Sequence, residues 1–227
     1  MLCAPLPLDN AAMSSNPFAD MRTEYADTPL RRRDLGADPL AQLQQWLEAA
    51  ANAGWREPNA MALATSDAEG QPHCRMVLCK RIDDSGIVFF TNARSDKGRQ
   101  LAANPRAAVT FWWAMPRERQ VRIEGTVTPT EGSLNDAYFY SRPRAAQLAS
   151  AASPQSEVVS GREELERRVA ELEQATAGKT VPRPAHWHGY RLAPQVLEFW
   201  QGRAARLHDR FRYERAATGW RIERLAP

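Results

Sequence analysis

The sequence predicts a mainly β (α+β) fold, an antiparallel barrel with peripheral helices. Three observations predict it. Strand-like runs follow one another from residue 60 to residue 128, separated by turn-forming clusters. Helical periodicity is confined to a segment before them, a short piece among them and a block after residue 130. Further strand-like runs then close the chain.

The first helix is predicted over residues 39 to 53. Asp38-Pro39 is a cap followed by a proline suited to a first turn, Gly54 is a stop, and Leu40, Leu43, Leu47 and Ala50 recur at helical spacing. Strands follow at Ala60 to Ser66, Cys74 to Ile82, Gly86 to Asn92, Ala107 to Trp113 and Gln120 to Thr128. The turns Asp67-Ala68-Glu69-Gly70 and Asp83-Asp84-Ser85-Gly86 are short, which implies hairpins and an antiparallel meander. A short helix runs from Asp96 to Ala103 and ends before Asn104-Pro105. Beyond residue 130, Ser133 to Tyr140 and Arg144 to Ala151 are two helices broken at Pro143, and Glu163 to Gln174 is a third. Tyr190 to Leu192, Val196 to Trp200, Arg210 to Glu214 and Trp220 to Arg224 supply the last strands.

At 227 residues, a single domain over 21–227 is expected, preceded by a disordered leader over 1–20 that Pro5, Pro7 and Pro17 interrupt. Thirty cations against 27 acids leave a net charge of +3, too evenly spread for a nucleic-acid binder. No stretch approaches transmembrane length, so no membrane partner is expected. Cys3, Cys74 and Cys79 give no disulfide framework, which fits a reducing cytoplasm. The pair His186-x-His188 lacks a third ligand of suitable type nearby, so no metal is expected.

Chemistry is concentrated near the C-terminus, where Arg206-Leu207-His208-Asp209-Arg210 follows Glu198-Phe199-Trp200-Gln201-Gly202. If Arg206 to Tyr213 is a strand, Arg206, His208 and Arg210 project from one side. Three nitrogen-rich groups in a row repel one another unless they face water or an anion. Trp200 and Gln201 beside them suit an aromatic, anionic ligand. Arg75 within an apolar strand also needs a partner. No Gly-x-Gly occurs, so side-chain cations rather than a glycine-rich loop must hold any phosphate.

Similar blocks occur at Arg31-Arg32-Arg33-Asp34-Leu35, Arg75-Met76-Val77-Leu78-Cys79-Lys80, Val88-Phe89-Phe90-Thr91-Asn92 and Glu118-Arg119-Gln120-Val121. They continue at Ser141-Arg142-Pro143-Arg144, Gln155-Ser156 and Arg224-Leu225-Ala226-Pro227. This ordered series resembles the pyridoxine (pyridoxamine) 5'-phosphate oxidases over roughly residues 22 to 227. The resemblance implies an antiparallel split β-barrel, a homodimer with flavin mononucleotide (FMN) at its interface, and oxidation of pyridoxamine 5'-phosphate and pyridoxine 5'-phosphate to pyridoxal 5'-phosphate. O2 would be the acceptor and H2O2 the second product.

By the same resemblance, Arg75, Lys97, Gln155 and Ser156 lie around the flavin phosphate. Met76, Val77, Leu78, Cys79, Lys80, Phe90 and Thr91 line its ring and ribityl chain, and Gln120, Trp200 and Arg210 complete the pocket. Lys80, Tyr138 and Arg142 hold the substrate phosphate. Arg206, Leu207 and His208 lie beside the pyridine, with Arg206 and His208 as the catalytic candidates, while Arg22 and Tyr25 come from an N-terminal arm. Met76, Leu78 and Phe90 could equally serve as barrel core. Arg75 and Lys80 are five apart, so an ideal strand points them to opposite faces; either a bulge intervenes or they meet different ligands. Tyr138 and Arg142, four apart, share a face if the helix is continuous. Two positions depart from the family pattern: Ala146 stands where a phosphate-binding serine is usual, and Asp96 where a basic residue precedes the flavin-binding lysine. The alternatives are a non-catalytic binder of FMN or pyridoxal phosphate, and a flavin oxidase of another aromatic acid of the phenazine type.

Overall fold

The computed structural model describes Phe18, Met21 and residues 23–227. Of the expected leader, therefore, only Phe18 falls among the described residues, and Arg22 lies outside them. Helix α1 (Pro39–Asn52) starts where the Asp38 side chain accepts the Leu40 N–H at 2.9 Å. It buries Leu40, Leu43, Trp46 and Ala50 along one stripe, as its spacing requires.

The strands are β1 (Ala60–Ser66), β2 (Pro72–Leu78), β3 (Arg81–Asp83), β4 (Gly86–Asn92), β5 (Arg106–Trp113), β6 (Arg119–Pro129), β7 (Trp187–Gln201), β8 (Asp209–Arg215) and β9 (Trp220–Leu225). Helix α2 (Asp96–Ala103) links β4 to β5, and α3 (Gly132–Ser141), α4 (Arg144–Ala152) and α5 (Arg162–Ala175) lie between β6 and β7. All pairings are antiparallel.

The expected meander is broken. The sheet order is β2-β1-β5-β6-β7-β4-β3, with β8 and then β9 branching from β7. Its two ends, β2 and β3, are joined by Cys79 and Lys80 alone, so the sheet must curl into a barrel. The single strand expected over Cys74 to Ile82 is two strands. The break arises because the Cys79 N–H donates to Asn59 O while the Lys80 N–H donates to Val88 O, each at 2.8 Å. The chain changes partner between these residues.

The two short strands expected around Pro194 are one long strand, β7. Its N-terminal half pairs with β4 and its C-terminal half with β8, while β6 runs along the other side. The register shifts between Glu124 and Gly125, opposite Val196 and Pro194, so Gln195 is the extra residue of a bulge. Gly125 is required there, because a Cβ would lie 2.0 Å from Ala193 O. Beyond this bend the C-terminal half of β7 carries β8 and then β9, with Phe211 and Tyr213 of β8 packed into the core; the whole is a split barrel.

Inward-facing Met61, Leu63, Phe89, Phe111, Trp113, Ile123, Phe199 and Tyr213 form the core, closed at one end by α1. Truncating one of these aromatic side chains to alanine would cost about 3–5 kcal/mol. A second cluster of Phe139, Leu148, Val181 and Trp187 packs the helices against β7. Among the described residues, no helix is long and apolar enough to cross a membrane.

Candidate active site

A cavity of 670 Å³ opens between the end of β2, β4 and the α3–α5 block. Among the described residues, its walls carry Lys80, Lys97 and Arg142 and no carboxylate. Tyr138 stacks on Phe90 with centroids 4.1 Å apart, and both lie nearly parallel to Trp187. The Arg142 guanidinium sits 5.0 Å from the Trp187 ring centroid, a cation–π arrangement, and donates to Ser150 Oγ at 2.9 Å. Burial pulls Arg142 below its ordinary pKa, with Tyr138 opposing. Helix α3 ends at Ser141, so Arg142 caps it rather than continuing it. The turn into α4 nonetheless keeps Tyr138 and Arg142 on the same cavity wall.

Lys97 is 9% exposed, and its amine donates to Ser95 Oγ at 3.3 Å. Burial, then the neighbouring Arg75 cation, lowers its pKa. Two neighbouring cations that are both partly desolvated, with Asp96 opposing the shift in each, suit a phosphate. Arg75 is held from behind: it donates to Thr65 Oγ1 at 2.6 Å, Gln100 Oε1 at 2.9 Å and Leu63 O at 3.2 Å. Asp96 pairs with Arg99, while Ser95 rather than Asp96 caps α2. Thr91 Oγ1 and Gln155 Oε1 lie 3.1 Å apart on the cavity wall. Ser156 follows in a left-handed conformation and is exposed.

The chain break at Cys79-Lys80 resolves the spacing of Arg75 and Lys80. Lys80 turns into the cavity, whereas Arg75 braces against β1 and α2. Cys79 turns inward, and burial raises its thiol to about 11. A purely core reading of Met76 fails: it is 64% exposed. Leu78 and Phe90 are half-buried, and both line the cavity.

The remaining predicted residues gather elsewhere. Arg206 and Leu207 are not in a strand, because β8 begins at Asp209. Ala205 and Arg206 instead take left-handed φ values of 53° and 61° in a tight turn. So Arg206, His208 and Arg210 do not form one strand face. His208 Nδ1 accepts the Arg203 N–H at 3.2 Å, which leaves the other ring nitrogen to carry the proton of the neutral form. Burial, then Arg206, lowers the His208 pKa. Tyr25 meets both Trp200 and His208 edge-on, at 5.9 and 5.6 Å between centroids. A groove of 180 Å³ runs past Tyr25, Arg203 and Arg206, and Leu207 is exposed beside it.

Trp112, Gln120, Trp200 and Arg210 are cross-strand neighbours in one row over four strands. This row lies on the outward face, opposite the core. Arg210 is engaged there by both oxygens of buried Glu198, at 2.7 and 3.1 Å. An apolar groove of 580 Å³ on the same face is lined by Trp55, Ala62, Met76, Trp112 and Met115 among others. Among the described residues, the cavity and the Arg206 groove share no lining residue, while Met76 borders both the cavity and the apolar groove.

Sequence reasoning missed Thr65, Gln100, Ser150, Trp187, Glu198 and Asp209. Each is a neutral or acidic partner of a recognised cation or ring, and its role depends on contacts distant in sequence or inside a helix.

Residues 47–175 match the family model described as pyridoxamine 5'-phosphate oxidase, and residues 187–227 the model described as the pyridoxine 5'-phosphate oxidase C-terminal dimerisation region. A pyridoxine/pyridoxamine 5'-phosphate oxidase of Microcystis aeruginosa is 51% identical over 211 residues, covering 92% of this chain and 98% of the relative. The protein of the same description from Deinococcus deserti is 53% identical over 212 residues, covering 92% and 99%. Among solved structures, PhzG from Burkholderia lata in complex with tetrahydrophenazine-1-carboxylic acid superposes with a TM-score of 0.82 at 36% identity, covering 88% of this chain and 99% of that one. An FMN-binding protein of Nostoc punctiforme, 18% identical with a TM-score of 0.65 over 82% of this chain and 96% of its own, shares the fold. The matched models span most of the chain and the relatives nearly all of their own length, so this chain belongs to the pyridoxine/pyridoxamine 5'-phosphate oxidase family.

Proposed function

We propose that the protein is an FMN-dependent oxidase that makes pyridoxal 5'-phosphate. Pyridoxamine 5'-phosphate, O2 and water would give pyridoxal 5'-phosphate, ammonia and H2O2; pyridoxine 5'-phosphate and O2 would give pyridoxal 5'-phosphate and H2O2. The observation that carries this reading is a cavity walled by three cations and stacked aromatic rings, with no carboxylate among the described residues. Such a cavity suits planar, phosphorylated ligands. FMN, when bound, supplies the two-electron acceptor, and the protein's work is to hold and align.

Lys97 and Arg75, with Gln155 and Ser156, would take the flavin phosphate, while Met76 to Lys80, Phe90 and Thr91 flank its ring and ribityl chain. Lys80, Tyr138 and Arg142 would take the substrate phosphate. Arg206 and neutral His208 would then orient the pyridine, His208 as a hydrogen-bond donor, with Tyr25 closing over them. Gln120 and Trp200 would contact the flavin from the outward row. Arg210, neutralised by Glu198, would act mainly by fixing that row.

These groups can converge on one ligand if two copies pack outward face to outward face. Exposed Met76, Trp112 and Met115 form an apolar surface suited to such packing. Each copy would then lend its Arg206 turn to the other's cavity, placing FMN at the interface. With Lys97 given to the flavin phosphate in either reading, the phenazine-type alternative needs one cation for a carboxylate; Lys80, Arg142 and the Tyr138 hydroxyl together on the substrate side favour a phosphate.

The test is a spectrum and an oxygen electrode. Purified protein should be yellow, release FMN, run as a dimer, and consume O2 with H2O2 formation when given pyridoxamine 5'-phosphate. Flavin binding without O2 consumption would reduce it to a binder.

A further inference from the structure

We infer that Ser150 is a substrate-phosphate residue of this chain, supplying from the second turn of α4 the hydroxyl that Ala146 lacks. Ser150 lies four residues beyond Ala146, on the same face of α4 (Arg144–Ala152). It lines the cavity with Lys80, Tyr138 and Arg142, whereas Ala146 does not.

Two features separate it from an ordinary helix serine. A serine inside a helix commonly turns back to donate to the carbonyl four residues earlier. Ser150 instead accepts from Arg142 Nη1 at 2.9 Å, eight residues back and around the Pro143 corner. Its own hydroxyl proton has no acceptor among the described residues, on a wall that holds three cations and no acid. The oxygen therefore fixes Arg142, and the proton is free to meet a phosphate oxygen. Arg142 is partly desolvated and lacks a carboxylate partner among the described residues, so Ser150 is what sets its direction apart from the Trp187 ring.

The inference rests on the cavity being the substrate-phosphate site. Ser150→Ala should raise KM for pyridoxamine 5'-phosphate about tenfold, the usual scale for a hydrogen bond to a charged group. Because this contact is made equally in the ground and transition states, kcat should stay within about twofold. FMN affinity should not change. In an Arg142→Ala background, Ser150→Ala should add much less than it does alone, because the two act together. Pyridoxal 5'-phosphate titrated against tryptophan fluorescence gives the same comparison without turnover. An unchanged KM and pyridoxal 5'-phosphate affinity in a folded, yellow Ser150→Ala protein would overturn the inference. So would an equal effect with and without Arg142. Wild-type protein that neither oxidises pyridoxamine 5'-phosphate nor binds pyridoxal 5'-phosphate would overturn the reading of the cavity instead.

Discussion

The Asp209 carboxylate accepts the backbone N–H of Leu30 at 2.9 Å, across 179 residues of sequence. The same carboxylate receives Arg203 at 2.9 Å and also Arg224. Three segments thus meet on one side chain that is 6% exposed: the arm leading to Tyr25, the turn that carries Arg206, and the last strand. Gln201 adds a second tie by donating to Thr28 O at 2.8 Å. Tyr25 rests against Trp200 and His208 because the arm is anchored five residues further on.

Asp209→Asn should therefore loosen the arm and the turn together. Loss of a charged acceptor should cost about 1–3 kcal/mol of stability, read by urea unfolding. KM for substrate should rise more than FMN affinity falls, since Arg75 and Lys97 are untouched. Burial raises the Asp209 pKa, but Arg224, the Leu30 N–H and Arg203 outweigh it and hold the carboxyl below its ordinary value. A lowered carboxylate contributes stability that is present above its unfolded pKa, about 3.9, and lost as pH falls through the folded value. The wild type should lose this increment at acid pH, and Asp209→Asn should not.

His208 should be neutral in the working enzyme. Its lowered pKa and its acceptance of the Arg203 N–H both oppose protonation. Its contribution to stability is present above about pH 6.5, the unfolded value, and lost as pH falls through the folded one. The rate kcat/KM should decline on that acid side as well. Replacing Arg206 by alanine removes one of the two causes of the shift, so the imidazole pKa followed by NMR should move up. A pKa that stays put would leave burial as the only cause.

Much of this architecture is legible locally. The bounds of β1, β4 and α2 agree with expectation because alternation in β1, the apolar run bounded by the Asp83–Gly86 turn in β4, and Ser95 capping with the Asn104-Pro105 stop around α2 act within a few residues. The break at Cys79-Lys80 is not legible, since Asn59 and Val88 impose it. Nor is the Ala205-Arg206 turn, which Asp27 and Asp209 hold through Arg203. Charge alternation there reads as a strand, and only the tertiary ion pairs override it. For the site, the residue types of Lys80, Tyr138 and Arg142 are telling. Ser150 is an ordinary helix residue until Arg142 is seen to reach it.

Arg206→Ala should leave the protein yellow and lower turnover about ten- to a hundredfold, as expected for one charge-assisted contact. Alanine can keep the left-handed backbone at the same cost as arginine, so the turn should persist. Ala205→Gly tests that backbone directly. Glycine adopts φ 53° without the Cβ penalty, so stability should hold or rise by up to about 1 kcal/mol. Oxygen uptake at saturating substrate and thermal unfolding check the pair.

Lys97 separates flavin binding from folding. Burial and Arg75 hold its pKa below the ordinary lysine value, so at neutral pH the protonated amine costs the flavin-free fold stability. Lys97→Met fills the same space without charge. The flavin-free variant should be as stable as wild type or more so, yet bind FMN about ten- to a hundredfold more weakly. Arg75→Ala should differ, because it also strips partners from Thr65, Gln100 and Leu63 O and should weaken both FMN binding and the fold. Flavin titration alongside urea unfolding of the flavin-free proteins distinguishes the two variants. If Lys97→Met lowered stability and left FMN affinity intact, Lys97 would be a structural lysine and the flavin phosphate would have to lie elsewhere in the cavity.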